Sequence, residues 1–186
     1  MRIIAGSFRG RRLADVGQGD AAAHLRPTTD RIRETLFNVL SGAYGDPVTD
    51  ARVLDLFAGT GALGLEALSR GAQNVTFVEN GRIAQKILTE NIALCRAGAG
   101  CRVIKHDAQR IAPNKDAPFD LIFLDPPYGK GMGEKAMTAA IQGGWVAPDA
   151  LIIWEENAQV MAPKGLRFLD ARRYGDTTIS IFNYEP

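Results

Sequence analysis

Cysteine and histidine are scarce in these 186 residues, with two of each. Cys95 and Cys101 are too few for a disulfide framework or a cysteine-built zinc site, so reduced thiols and no metal are expected. His24 and His106 are not placed like a base or a ligand, which leaves them surface or supporting roles. Net charge is only +1, so no overall field announces a polyanionic partner. No apolar run approaches the roughly 20 residues of a membrane helix. The amino end, Met1 to Gly6, turns basic and glycine-rich too soon for a secretory signal. Internal repeats and low-complexity tracts are also absent. A cytoplasmic monomer with no membrane contact is expected. With 46% hydrophobic and 23% charged residues, the composition is ordinary globular, and the chain can bury a full core.

What charge there is lies unevenly. Residues 1–12 contain Arg2, Arg9, Arg11 and Arg12 and no acid. Residues 2–14 read as two short strands about a glycine-containing turn, and residues 15–25 as a flexible connection. Arg26-Pro27-Thr28-Thr29-Asp30 then starts a helix, with Thr28 or Thr29 as cap and Ile32, Leu36, Val39 and Leu40 on one face. From Ala51 a strand–helix rhythm begins. Strands are expected at 53–57, 75–78, 102–105, 121–124 and 151–154, and helices at 63–70, 82–96 and 134–141. Residues 167–171 and 178–184 form a hairpin about Tyr174-Gly175-Asp176. This alternation predicts right-handed βαβ units, hence an α/β fold with a parallel sheet covered on both faces. Trp145 and Trp154 are expected in its core.

Two stretches carry chemistry. Leu121-Ile122-Phe123-Leu124 is too short and continuous for an amphipathic helix, and Asp125-Pro126-Pro127-Tyr128 stops it. Prolines cannot donate ladder hydrogen bonds, so a carboxylate and a ring are held at a strand's carboxyl end, where open α/β sheets bind ligands. Earlier, residues 59–64 satisfy G-x-G-x-x-G between a strand and a helix, where glycines let backbone approach a ligand. Asp55 lies ahead of this loop, placed to receive a cationic amine. Glu79 ends the next strand, placed for both ribose hydroxyls. Asp107 follows the third, placed to accept from an adenine amine. Acids at three consecutive strand ends suit S-adenosylmethionine.

Asp55-Leu56-Phe57-Ala58-Gly59-Thr60-Gly61 together with Asp125-Pro126-Pro127-Tyr128 resembles the signature of methyltransferases acting on nucleic-acid amino groups. The closer similarity is to the RsmD family of bacterial small-subunit ribosomal RNA (guanine-N2)-methyltransferases. It runs through Arg2 to Gly6, Arg9-Gly10-Arg11, Arg26 to Asn38 and Leu65 to Ala72. The resemblance implies a seven-stranded Rossmann-like methyltransferase sheet with an antiparallel strand in its last hairpin, and a small N-terminal β-hairpin that helps hold RNA. Residues 1–25 would be that extension and its linker, and residues 26–186 the methyltransferase domain. Asp55, Gly59, Gly61, Glu79 and Asp107, with the adjoining Phe57 and Ala108, inherit cofactor contacts. Asp125, Pro126, Pro127 and Tyr128 inherit the target-amine site. One departure is visible: the family usually places an acid two residues after the ribose-binding Glu, and here Asn80 and Gly81 follow Glu79.

An exocyclic guanine amine is a poor nucleophile because its lone pair is delocalised. If Asp125 and the Pro126 carbonyl each accept an N–H, the nitrogen moves toward tetrahedral geometry, with Tyr128 stacked on the base. Arg2, Arg9, Arg11, Arg12, Arg31, Arg33 and Lys130 are the expected phosphate contacts of ribosomal RNA, naked or within an assembled small-subunit particle. Three other readings compete. An N6-adenine DNA methyltransferase shares Asp-Pro-Pro-Tyr but usually carries a separate target-reading region. A glutamine-N5 protein methyltransferase calls for Asn at position 125. A non-catalytic RNA-binding or assembly protein does not need the intact Asp125 and glycine loop.

Overall fold

Short runs of Val, Leu, Ile and Phe, buried on both faces, form the parallel body of a single sheet. The computed structural model describes residues 1–15, 30–161 and 163–186. In chain order the elements are α1 (Asp30–Ala43), β1 (Arg52–Leu56), α2 (Ala62–Ser69), β2 (Asn74–Val78), α3 (Arg82–Leu94), β3 (Cys101–Ile104), β4 (Phe119–Leu124), α4 (Met132–Gln142), β5 (Val146–Glu156), β6 (Leu166–Tyr174) and β7 (Thr177–Tyr184). Strand order is β3-β2-β1-β4-β5-β7-β6. Strands β1 to β5 pair in parallel, and β7 runs antiparallel between β5 and β6. The seven-stranded, mostly parallel sheet is the one expected. The proposed connection over residues 15–25, the Thr28 or Thr29 cap and His24 fall largely or wholly outside the described residues.

Alternation along the strands divides the core in two. Val53, Val75, Phe77, Leu121, Phe123 and Ile153 pack toward α1, α2 and α3. Leu54, Leu56, Ile122, Leu124 and Ile152 pack toward α4, with Trp145 and Trp154 buried among them. Both tryptophans are thus core residues, as expected. Cys95 and Cys101 are free thiols.

Boundaries moved in places. Phe57, read as the end of β1, leaves the strand in left-handed conformation with φ 60°. Strand β5 begins at Val146, well before the expected 151, because its pairing with β4 shifts register between Phe119 and Leu121. The N-terminal hairpin is reduced to one antiparallel bridge, Arg2 to Arg12, around a 3₁₀ turn at Gly6–Phe8. Gly6 explains the turn: φ is +78°, and a Cβ there would lie 1.7 Å from the Ser69 carbonyl oxygen. Only glycine fits.

A buried polar cluster, which the sequence does not announce, seats this segment. Ile3 and Leu13 enter the core, and between them the backbone N–H groups of Ile4 and Ala5 donate to the Glu66 carboxylate of α2 at 2.8 and 3.0 Å. Phe8 N–H donates to Ser69 Oγ at 2.8 Å. Glu66, with no solvent exposure, also faces Arg70 at 2.8 Å and Arg33 at 3.6 Å. Arg33 lies on the buried stripe of α1 with Leu36, Phe37 and Leu40. Its guanidinium is fully buried and donates to the Arg2 carbonyl and to Asp30. Arg33 is therefore withdrawn from the expected phosphate contacts, because its charge is spent inside the protein.

Removing one partner of a buried ion pair strands the other charge in a low-dielectric interior. Glu66→Ala should therefore lower the unfolding free energy in urea by about 3–5 kcal/mol. A loss no larger than that of an exposed ion pair would contradict this account.

Candidate active site

Strand β1 sits between β2 and β4, so the chain turns one way after β1 and returns on its other side at β4. That is the topological switch point, where loops diverge and open a crevice at the carboxyl edge of the sheet. Asp55 pairs with Phe123, and Leu56 with Leu124. The two sequence motifs, separated by most of a βαβαβ excursion, thus leave neighbouring strands side by side. Asp125 N–H reaches the Leu56 carbonyl at 3.5 Å.

The glycine loop is built from left-handed residues. Phe57, Gly59 and Gly61 have φ of 60°, 55° and 78°. At Gly61 a Cβ would meet Leu88 Cδ1 at 2.4 Å, and at Gly64 it would meet Phe77 at 2.4 Å. These glycines let α2 lie close against β2 and α3 while its amino end faces the crevice. Asp55, only 2% exposed, accepts the Gly64 N–H at 3.0 Å. Burial raises its pKa to about 8, the Gly64 bond lowers it, and the charge of Glu79 adds to the rise. Glu79 joins two elements: its carboxylate accepts the Gly59 N–H of the loop at 2.8 Å and the Gly81 N–H ahead of α3 at 2.6 Å. Gly81 at the position of the missing acid thus donates backbone to Glu79.

The remaining predicted cofactor residues are placed less uniformly. Ala108 is buried in a 3₁₀ turn after β3. Half-buried Asp107 caps that turn, its Oδ1 accepting the Gln109 backbone N–H at 2.9 Å and side-chain N–H at 3.1 Å. This is ordinary Asx-turn chemistry at the end of a strand. Phe57 is half-buried at the mouth of the loop.

On the β4 side, the prolines do what their chemistry requires and β4 ends at Leu124. Pro126 is buried, while Asp125, Pro127 and Tyr128 are half-buried. Burial drives the Asp125 pKa well above the carboxylate range, and the charges of Glu155, Asp55 and Glu156 push the same way. Sequence reasoning missed the support of this turn. Tyr128 donates its hydroxyl to Glu155 at 2.6 Å and lies 3.1 Å from Thr177 Oγ1. Burial, then the bond to Glu155, raises the pKa of that hydroxyl. Glu156 accepts the Gly129 N–H at 3.0 Å. A signal for these acids existed: Glu155 and Glu156 close β5 as Glu79 closes β2.

Of the basic residues, Arg2, Arg9, Arg12, Arg31 and Lys130 are exposed. Arg11 is half-buried, with its guanidinium donating to the Leu94 carbonyl at 2.5 Å and lying 5.9 Å from the Phe8 ring centroid.

Because Asp55 binds its proton more tightly when folded, its stabilising contribution is full below the ordinary carboxylate range and is lost as pH rises toward about 8. Asp55→Asn should match the parent in Tm near about pH 4 and exceed it increasingly up to about pH 8. A constant difference in calorimetric scans across that window would refute it.

The family model described as Conserved hypothetical protein 95 matches residues 1–183. Ribosomal RNA small subunit methyltransferase D of Escherichia coli strain K12 is 42% identical over 159 residues, which is 86% of this chain and 76% of that protein. Putative rRNA methyltransferase YlbH of Bacillus subtilis is 35% identical over 188 residues, covering 98% of each. The solved structure of the putative methyltransferase yhhF from Escherichia coli superposes with TM-score 0.83 at 38% identity, over 100% of this chain and 98% of that one. A Rossmann-like methyltransferase sheet, a glycine loop and an Asp-Pro-Pro-Tyr turn at one switch point, and likeness along nearly the whole chain all agree: this protein belongs to the family of ribosomal RNA small subunit methyltransferase D.

Proposed function

We propose that this protein transfers a methyl group from S-adenosylmethionine to the exocyclic N2 amine of a guanine in small-subunit ribosomal RNA. The observation that supports this most is the placement of the Asp125 turn beside the glycine loop on adjacent strands, with Asp125 N–H at 3.5 Å from the Leu56 carbonyl. A donor held by the loop then faces an amine held by the turn.

The residues suit the donor chemically. Asp55 and Glu79 are buried acids at consecutive strand ends, and the loop between them exposes a helix amino end. Asp55 would meet the donor's amino group, Glu79 its ribose hydroxyls, and Ala108 and Asp107 its base, with Phe57, Gly59 and Gly61 forming the wall. When bound, S-adenosylmethionine supplies an electrophilic methyl on a sulfonium.

On the acceptor side, the Asp125 carboxylate, in its ionised form, and the Pro126 carbonyl would each accept one N–H of the guanine amine, turning the lone pair toward the methyl. Positive charge developing on that nitrogen lies beside an anion in a partly dry pocket, where such stabilisation is largest. The environment that raises the proton affinity of Asp125 also fits it to take the proton that N2 sheds. Pro127 stiffens the turn, and Tyr128, held by Glu155 and Thr177, presents its ring to an unpaired or flipped base.

In this reading residues 1–25 are the RNA-facing extension and residues 26–186 the methyltransferase body. Arg2 and Arg12 support the role of the extension. They are exposed partners across a β-bridge, and like charges directly opposite cost stability unless an anion neutralises them. Arg9, Arg31 and Lys130 add exposed charge, and Arg11 contributes from its half-buried position.

Incubation with small-subunit ribosomal RNA or the assembled particle, followed by nucleoside mass spectrometry, should yield N2-methylguanosine. N6-methyladenosine instead would overturn the reading. Asp125→Ala should bind S-adenosylhomocysteine normally while losing roughly 10²–10³-fold in turnover. The arginine role needs a gentler test than deleting the segment, because deletion would take Ile3 and Leu13 out of the core and strip Glu66 of two backbone donors. Replacing Arg2, Arg9 and Arg12 by Gln should reduce the slope of log affinity against log salt by about 2 for single-stranded contacts. An unchanged slope would make these arginines a solvated edge.

A further inference from the structure

Both ends of the N-terminal segment converge on one residue of the glycine loop, Thr60. Asn91, in the third turn of α3 and without solvent exposure, ties the Ala14 end to the loop. Its Nδ2 donates to the Thr60 carbonyl at 2.9 Å and to the Ala14 carbonyl at 3.0 Å. Its Oδ1 accepts the Ala14 N–H at 2.7 Å. At the other end, Met1 Sδ lies 4.0 Å from the Thr60 hydroxyl, and Leu13 N–H donates to the Met1 carbonyl at 3.1 Å. Asn91 thus directs both amide protons and its oxygen to two other segments and none to its own helix. Burying an amide for this purpose is costly if any bond is lost, so the arrangement is sharply defined.

The loop that Asn91 grips is the one with left-handed residues on both sides of Thr60, at Gly59 and Gly61. A ligand that selects one arrangement of such a loop fixes the Thr60 carbonyl, and through Asn91 it fixes Ala14. We propose that Asn91 is a positioning residue that couples occupancy of the glycine loop to the ordering of residues 1–15, so that methyl donor and RNA bind cooperatively. This rests on the functional reading above, in which the loop holds the donor and the exposed arginines of residues 1–15 meet RNA. Coupling between two binding events is reciprocal, so RNA tightens donor binding by the same factor as the donor tightens RNA binding.

The test uses S-adenosylhomocysteine as the probe. In the intact protein it should slow amide exchange within residues 1–15, Leu13 and Ala14 above all, and tighten RNA binding by about fivefold or more. In Asn91→Ala the nucleoside should still bind, with exchange in that segment unaltered and the RNA affinity ratio near unity. If the nucleoside binds the parent protein but moves neither exchange nor RNA affinity, the coupling is overturned whether or not the variant folds. If Asn91→Ala lowers Tm but keeps the full ratio, Asn91 is only structural and the proposal fails. Absence of nucleoside binding to the parent would instead overturn the functional reading itself.

Discussion

Parallel pairing of β1 with β4 is the constraint on which the site depends. Register places Leu56 against Leu124, and both chains leave the sheet at the same level. One departs through the left-handed residues of the glycine loop, the other through the stiff Asp125-Pro126-Pro127 turn. A one-residue slip would swap the faces of the apolar strand residues, so the core that divides α1, α2 and α3 from α4 also fixes where the two turns meet. Burial of leucine and phenylalanine therefore sets the geometry of a polar crevice.

That crevice gathers negative charge. Asp55, Glu79, Asp125, Glu155 and Glu156 all close strands at its edge, and at Asp55 and Asp125 the cost shows as raised proton affinity. Most of these groups are tied to backbone or side-chain donors from a different element. Asp55 holds the start of α2, Glu79 holds the loop and α3, Glu155 holds Tyr128 and Glu156 holds Gly129. Each of these four acids is positioned by a bond that leaves its carboxylate further acceptor capacity.

The strands and the two motif turns were legible in the sequence because continuous apolar runs, glycines and prolines act locally. Asp55 could be placed from the strand it lies in, and Glu79 and Asp125 from the strands they follow. Arg33 could not: its position among arginines suggested phosphate, yet the stripe it shares with Leu36, Phe37 and Leu40 buries it against Glu66. Glu66 and Asn91 were invisible for the same reason, since each sits inside a helix and binds the backbone of the N-terminal segment, 61 to 77 residues away. The N-terminal strands were over-read, because after three cross-segment bonds, Ile3 to Arg11, Gly10 to Ile3 and Leu13 to Met1, the Ile4 and Ala5 N–H groups turn to the Glu66 carboxylate instead of extending a ladder.

Trp145 and Trp154, the chain's two tryptophans, both lie in the core on the α4 side of the sheet. The opposite face, where α1, α2 and the N-terminal segment pack, has none. Intrinsic fluorescence is consequently a one-sided gauge of this molecule. An emission shift would follow the loosening of α4 from the sheet. Detachment of residues 1–15 would pass without a direct optical trace, and a reporter for that half would have to be introduced.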